Sequence, residues 1–386
     1  MWHGLGVSLF AAAVLACATA QSTTAPSAPT STSSPTPTAP AGPTQTAPPS
    51  PSPSPTAAPE ATPLVTAPPV PADQATWTER DDVATGPAAR EDHTWTVDGD
   101  GQTAYLFGGR TSDGPQADLW SFDLATDAWT MVRPEGPAPA ARFGHTATWV
   151  PDVGLVAWSG QGRDFFSDIW AYDLLTDAWR ELPSLGAVPA ARYGSCASLG
   201  PDGRLWISHG FTQDSGRFSD TRAYDFATGQ WTDMTPAGDV PVKRCLHDCY
   251  WSADRLILYG GQTTGVAALG DIWAYDLATG KWTRGPDPDA LPRQLYALSP
   301  LGSSALVFGG GSVDGGFLDD MLAIDSATLE ITETGTISDG PAPRSGATLI
   351  GDSSQGALRY LLFGGQNETG LLGDLWEFQS YWQSFF

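Results

Sequence analysis

The chain has 386 residues and a formal net charge of −24, set by 43 Asp and Glu against 19 Lys and Arg. A surface that acidic repels nucleic acid and anionic lipid, so nucleic-acid binding is set aside and contact with a membrane is expected only through a lipid anchor. The length exceeds one ordinary domain, yet not all of it can fold.

Residues 1–20 read as a signal peptide. "VSLFAAAVLA" is apolar but too short to persist as a spanning helix. "VLAC" ends at Cys17 and resembles a bacterial lipobox, whose Cys is acylated and becomes the new N-terminus. "ATA" at 18–20 resembles an ordinary signal-peptidase site. Both readings export the protein, as a membrane-anchored lipoprotein or in secreted form, and acylation of Cys17 is the expectation carried forward. Residues 21–72 are nearly all Thr, Ser, Pro, Ala and Gln. Such a tract cannot bury apolar surface, so it is expected to be a disordered, semi-stiff spacer ahead of a folded region at 73–386.

Within that region a short apolar run ends in Gly-Gly, or a degraded form of it, six times: "YLFGG", "VAWSG", "WISHG", "LILYGG", "ALVFGG" and "YLLFGG". The second glycines stand at 109, 160, 210, 261, 310 and 365, a period near 50. Each copy reads as four short strands. The first follows an Arg, the second is the apolar run, the third is "DIWAYD"-like, and the fourth begins at a Trp. Asp123, Asp173, Asp225, Asp276 and Asp325 each precede a Thr by three residues and are expected to fix the turn between strands three and four. Trp129, Trp179, Trp231 and Trp282 are expected to wedge between neighbouring units. Trp77 shares their ten-residue spacing to a following Pro, yet no full copy precedes it. It is therefore expected to complete the last unit beside "DLWEF" at 374–378, in competition with the tail "YWQSFF".

A period near 50 with Gly-Gly and paired aromatics resembles the kelch repeat, over residues 77–386. That resemblance implies an all-β fold: a six-bladed β-propeller of four-stranded antiparallel blades around a central channel.

The first strand begins with P-x-x-R in five copies, giving Arg90, Arg142, Arg192, Arg244 and Arg344; in the fifth copy Pro292 and Arg293 are adjacent, and Arg293 is expected to point elsewhere. Peptide-binding kelch propellers place arginines at similar positions to grip acidic side chains, which makes these five the candidate ligand-binding residues. The structural alternative pairs each Arg with an Asp of its own or the next blade. His93, His145 and His247 recur three residues after the Arg, where other copies carry Ser195, Tyr296 and Ala347. This reads as a packing position, so no metal is expected. Galactose oxidase resembles these repeats but uses copper and a Tyr–Cys crosslink for which no matching set is found; no cofactor and no catalytic residue are assigned. Of the remaining thiols, a bridge from Cys196 to Cys245 or Cys249 across neighbouring repeats is favoured over one within CxxxC.

The expected function is a non-catalytic module that binds a protein, or an acidic peptide or carbohydrate, at a channel mouth outside the cytoplasm. The alternatives are a sugar enzyme resembling sialic acid mutarotase, a six-bladed kelch protein, and a structural envelope protein.

Overall fold

Six four-stranded antiparallel sheets stand around one axis in the computed structural model. It describes residues 75–380 apart from 82–84, 214–215, 287–290, 335–338 and 354–358. Cys17, the 21–72 spacer and the tail at 381–386 lie outside the described residues.

Blade 1 shows the pattern, with strands Thr94–Val97, Thr103–Phe107, Leu119–Asp123 and Ala128–Val132 paired in order. The innermost strands of blades 2 to 6 are Thr146–Val150, Cys196–Leu199, Asp248–Ser252, Ala297–Leu301 and Thr348–Asp352. The second strand of each blade is the most apolar because both its faces are covered by neighbouring blades; in Gly154–Trp158 every residue is buried. Blade 3 carries a short extra strand, Leu185–Gly186, parallel to Gln230–Asp233.

The turns between the third and fourth strands form as the sequence demands. Asp123 Oδ1 accepts the amides of Ala125 and Thr126 at 3.0 and 2.8 Å. Asp225 and Asp325 repeat this arrangement, and Asp276 holds Thr279. The Trp beyond each turn packs back onto the preceding blade. Trp179 meets Phe107 at 4.9 Å, Trp231 meets Trp158 at 5.6 Å and Trp129 meets Phe363 at 5.4 Å between ring centroids.

Trp77 does the same from the other end of the chain. Ala75–Glu79 pairs antiparallel with Leu375–Ser380, with Trp77 opposite Phe378, and supplies the fourth strand of blade 6. Its ring lies 5.2 Å from Phe308 of blade 5. The seam is locked by charge. Arg359 reaches Asp127 and Asp352 at 2.7 Å and Glu377 at 3.0 Å, while Arg80 reaches Asp127 and Glu377 at 2.6 Å. Asp127 sits in the blade 1 turn and Glu377 in blade 6, so the two arginines tie the first blade to the last. Breaking a buried network of this kind typically costs about 3–5 kcal/mol because the remaining charges lose their partners.

A disulfide joins Cys196 to Cys249, with Cα atoms 5.5 Å apart, and so staples the inner strands of blades 3 and 4. The bond closes a loop with a sequence separation of 53 residues. By loop entropy alone such a loop stabilises by about 4 kcal/mol. Cys245 keeps its thiol, buried.

Trp77→Ala removes both the wedge and the anchor of the closing strand. It should lower the unfolding free energy by about 3–5 kcal/mol in guanidinium titration, as other buried Trp truncations do. A loss below about 1 kcal/mol would show that the ring closes without this strand.

Candidate binding channel

The residues that shape the channel start with the repeated arginine. Arg142 is fully buried, so its N–H groups must find acceptors inside the protein. Its Nε donates to the Ala140 carbonyl at 2.9 Å, and Nη1 donates to the Ser159 carbonyl at 3.0 Å. Nη1 and Nη2 together clasp both oxygens of Asp168 at 2.8 Å. The same three-way grip holds Arg90 to Asp118, Arg192 to Asp220, Arg244 to Asp271, Arg293 to Asp320 and Arg344 to Asp374. Each of the six is no more than 1% exposed. Burial raises the carboxyl pKa of Asp118, Asp168, Asp220, Asp271 and Asp374, but the hydrogen bonds and charge of the paired arginine outweigh it and hold these groups below their usual range.

The carbonyl each guanidinium needs belongs to the first position of the glycine pair. Turning it toward the Arg requires positive φ, which Gly108 adopts at 61° and Gly260 at 61° without strain. Ser159 and His209 adopt the same conformation at 62° and 57°, so the degraded pairs keep the geometry at some conformational cost. The second glycine donates its amide to the Arg carbonyl of the next blade: Gly109 to Arg142, Gly160 to Arg192, Gly210 to Arg244, Gly261 to Arg293, Gly310 to Arg344 and Gly365 to Arg90. The series returns to its start and forms a closed ring.

A second closed ring lies nearer the axis. The residue two after each Arg donates its amide to the equivalent carbonyl of the preceding blade. Gly144 donates to Asp92, Gly194 to Gly144, Leu246 to Gly194, Leu295 to Leu246, Gly346 to Leu295 and Asp92 to Gly346, all at 2.7–3.0 Å. All six have φ between 50° and 66°. Glycine at 144 also makes room, because a Cβ there would stand 2.1 Å from the Tyr193 ring. Leu246 of this girdle packs with Phe143, Tyr193, Phe211 and Cys245 in one apolar cluster.

Between the six inner strands lies a cavity of about 390 Å³. Its wall at the position four after each Arg reads Thr94, Thr146, Cys196, Asp248, Ala297 and Thr348. In three blades the side chain one residue earlier reaches back to the preceding blade. His145 Nε2 meets Thr94 Oγ1 at 3.0 Å, His93 Nε2 meets Thr348 Oγ1, and Tyr296 Oη accepts the Asp248 amide at 3.0 Å. Burial, with nearby arginines second, holds His93 well below its usual range and His145 at about 3, so both rings are neutral. Burial also raises Asp248, to about 7, and the Cys249 amide that it accepts at 2.7 Å offsets this only in part. At the girdle, burial raises Glu91 and Asp92 despite Arg110 beside them.

Two family models match. The KLHDC2/KLHL20/DRC7 Kelch-repeats domain covers residues 70–261 and the Attractin/LZTR1 beta-propeller covers 205–379. The chain is a kelch-repeat β-propeller. It is similar to Acyl-CoA-binding domain-containing protein 4 of Arabidopsis thaliana, 26% identical over 303 residues, which are 76% of this chain and 37% of that protein. It is also similar to Kelch domain-containing protein 3 of Bos taurus, 27% identical over 249 residues, which are 60% of this chain and 64% of that protein. In both cases the match spans less than two thirds of the relative's length.

This kelch propeller brings Arg90, Arg142, Arg192, Arg244 and Arg344 together as a ring, but each guanidinium is turned into its own blade and clasped by an Asp. The geometry leaves no open guanidinium edge toward an anionic ligand. Arg293, expected to point elsewhere, joins the ring on the same terms through Asp320. Among the described residues no group of three or more His, Cys, Asp or Glu is placed to hold a metal. The feature that the repeat pattern concealed is Asp248, a carboxylate where two neighbours carry disulfide sulfur or Ala and three carry Thr.

Arg142→Ala should cost about 3–5 kcal/mol in denaturant unfolding, because Asp168 and the Ser159 carbonyl lose their donors. Asp118, Asp168, Asp220, Asp271 and Asp374, held below their usual range, stabilise only while ionised, so wild-type stability should fall as the pH drops below the ordinary carboxylate range. Unchanged stability in Arg142→Ala would show that the guanidinium is not a structural element.

Proposed function

We propose that this protein is an exported, lipid-anchored kelch propeller that binds a partner protein without catalysis, through the loops between the second and third strands. Kelch propellers are protein-binding modules, and the observation that carries the reading here is how those loops are held. Each loop leaves the glycine pair and returns at the Asp, and one buried Arg binds both ends. Between those pins run seven to nine residues that differ in every blade: "RTSDGPQA", "QGRDFFS", "FTQDSGRFS", "QTTGVAALG", "GSVDGGFLD" and "QNETGLLG". Constant anchors with varied tips on one face are the arrangement that binding loops take on rigid scaffolds. The tips include half-buried Phe165, exposed Arg163, and Val266 and Val313 at 43% and 50% exposure. An apolar and charged mixture of this kind fits a protein surface.

The ligand role first assigned to the buried arginines passes in this reading to loop residues such as Arg163. Selection of a random peptide display library on the protein tests it. Enriched peptides should bind wild type and lose affinity about tenfold or more to Arg163→Ala/Phe165→Ala, as removal of an Arg and aromatic anchor does, while Leu175→Ala on an outer turn leaves binding unchanged. Equal binding to all three proteins would remove the loop face as the site.

Export and anchoring rest on "VLAC" and the spacer behind it. The spacer holds the propeller off the membrane surface. Cys17→Ala should move the protein from the membrane fraction to the soluble fraction. Mass spectrometry finding an unmodified mature N-terminus at Gln21 in wild type would contradict the anchor.

A further inference from the structure

At its inner end the seam between blades 6 and 1 carries two consecutive acidic residues, Glu91 and Asp92, where no other blade places an acid at either position. Glu91 is 1% exposed. Its Oε1 accepts Arg110 Nε at 2.8 Å and also Arg110 Nη2. Arg110 is the first residue of the blade 1 loop, and its guanidinium lies over the Phe143 ring. The Gln366 side-chain amide, at the start of the blade 6 loop, also favours the Glu91 anion. The main chains fix this placement. Glu91 and Arg110 exchange amide bonds at 3.1 and 2.8 Å, and Ser345 and Gln366 do so at 3.0 and 2.8 Å. Glu91 therefore stands between the first residues of two adjacent loops. Asp92 packs across the same seam. Its amide donates to the Gly346 carbonyl at 2.9 Å, and a Cβ at 346 would stand 2.8 Å from Asp92 Oδ1 and 3.1 Å from Glu91 Cβ. Asp92 Oδ1 and Glu91 Oε2 are both buried without a hydrogen-bond partner.

We propose that Glu91 and Asp92 form a pH-sensitive latch between the blade 1 and blade 6 loops, fastened while the pair carries one proton and loosened when that proton leaves. Two neighbouring carboxyls beside a single guanidinium are balanced when only one of them is charged. With Asp92 protonated, Glu91 is the anion and Arg110 serves it alone. When Asp92 ionises, two anions compete for Arg110, whose charge acts on both. Among the described residues no second cation acts on the pair. Arg90 is committed to Asp118, and burial keeps His93 neutral. Blade 6 faces the pair with Ser345, Gly346 and Gln366, which carry no charge. Blade 2 contributes Phe143 beneath Arg110, and Tyr193 of blade 3 also faces that guanidinium. Burial, then the Glu91 charge, push the Asp92 carboxyl up to about 7 although Arg110 lowers it. A carboxyl raised on folding stabilises only while protonated. Its contribution is complete below the ordinary carboxylate range and is lost as the pH rises through about 7. This sign is opposite to that of the Asp residues clasped by arginine. The latch bears on the loop face, but it is a property of the seam and stands whether or not that face binds a partner.

Asp248 titrates in the same window, so the test is made on the full chain carrying Asp248→Asn. Its folding constant, from urea titration, should fall about tenfold between pH 6 and pH 8, and adding Asp92→Asn should remove most of that fall. Asn also tolerates the φ of 51° at this position. By NMR the Arg110 Nε–H signal should be sharp at pH 6 and broadened at pH 8, as its bond to Glu91 loosens, while Arg142 Nε–H, held by the Ala140 carbonyl, stays unchanged. With Asp92→Asn the Arg110 signal should be sharp at both pH values. A fall in stability that survives Asp92→Asn overturns the proposal, as does an Arg110 signal that ignores pH while Asp92 is present. Should Asp92→Asn not fold, Glu91→Gln decides. Asp92 then has Arg110 to itself, so the fall should be complete at a lower pH; a fall still running through pH 7 contradicts the latch.

Discussion

A guanidinium removed from water must have its N–H groups satisfied, and this protein meets that demand six times in the same way. The consequence reaches every part of the blade. One edge of each Arg fixes the Asp that opens the third strand, and the same nitrogen fixes the carbonyl that ends the second. The main chain of that Arg accepts an amide from the preceding blade. A single residue type thus sets the loop ends, the glycine conformation and the joint between blades. In isolation a buried ion pair is weak ground for stability, since desolvation offsets much of the attraction. Here the charge is supplemented by carbonyl acceptors, and the Asp also takes the indole N–H of Trp120, Trp170, Trp273 or Trp376 in four blades. In blade 3 Arg222 occupies the indole's place.

Most of the scaffold was legible because it is local and periodic. The glycine period gave six blades, the Asp-to-Thr spacing gave the outer turns, and the Trp77 spacing gave the closing strand. What failed was the ruler used for the arginine. Spacing from Pro set Arg293 apart, but the position of a guanidinium is governed by its distance to the glycine carbonyl. That separation is 16 residues for Arg293 and Arg244, 17 for Arg142 and Arg192, 18 for Arg90 and 20 for Arg344, so Arg293 falls within the range of the other five. The partner could not be chosen from sequence alone either, because five of the six copies offer an Asp before strand three and another after it. The D-x-W text was visible throughout; its hydrogen bonds were not. The girdle lay beyond reach for another reason. It is made of backbone groups, and its residues are Asp, Gly, Gly, Leu, Leu and Gly, a series without a shared side chain.

The division of labour follows from this. Repeated residues build a rigid ring, and variation is confined to two places that the ring leaves untouched. One is the set of loop tips between pinned ends. The other is the channel wall, where Ser195, Cys196, Asp248, Ala297 and Ala347 depart from the His, Tyr and Thr of the other positions. A disulfide between Cys196 and Cys249 ties blades 3 and 4 at the channel wall, and Arg217 adds hydrogen bonds to Thr264 and Gln262 between the same two blades.

The central claim is that the six blades close as one cooperative ring around the axis. Native-state amide exchange followed by NMR at Asp92, Gly144, Gly194, Leu246, Leu295 and Gly346 tests it most directly. A closed ring predicts that all six amides exchange only through global unfolding, with the same opening free energy and the same denaturant dependence. Six different opening free energies, or fast exchange at any one of these amides under native conditions, would contradict it.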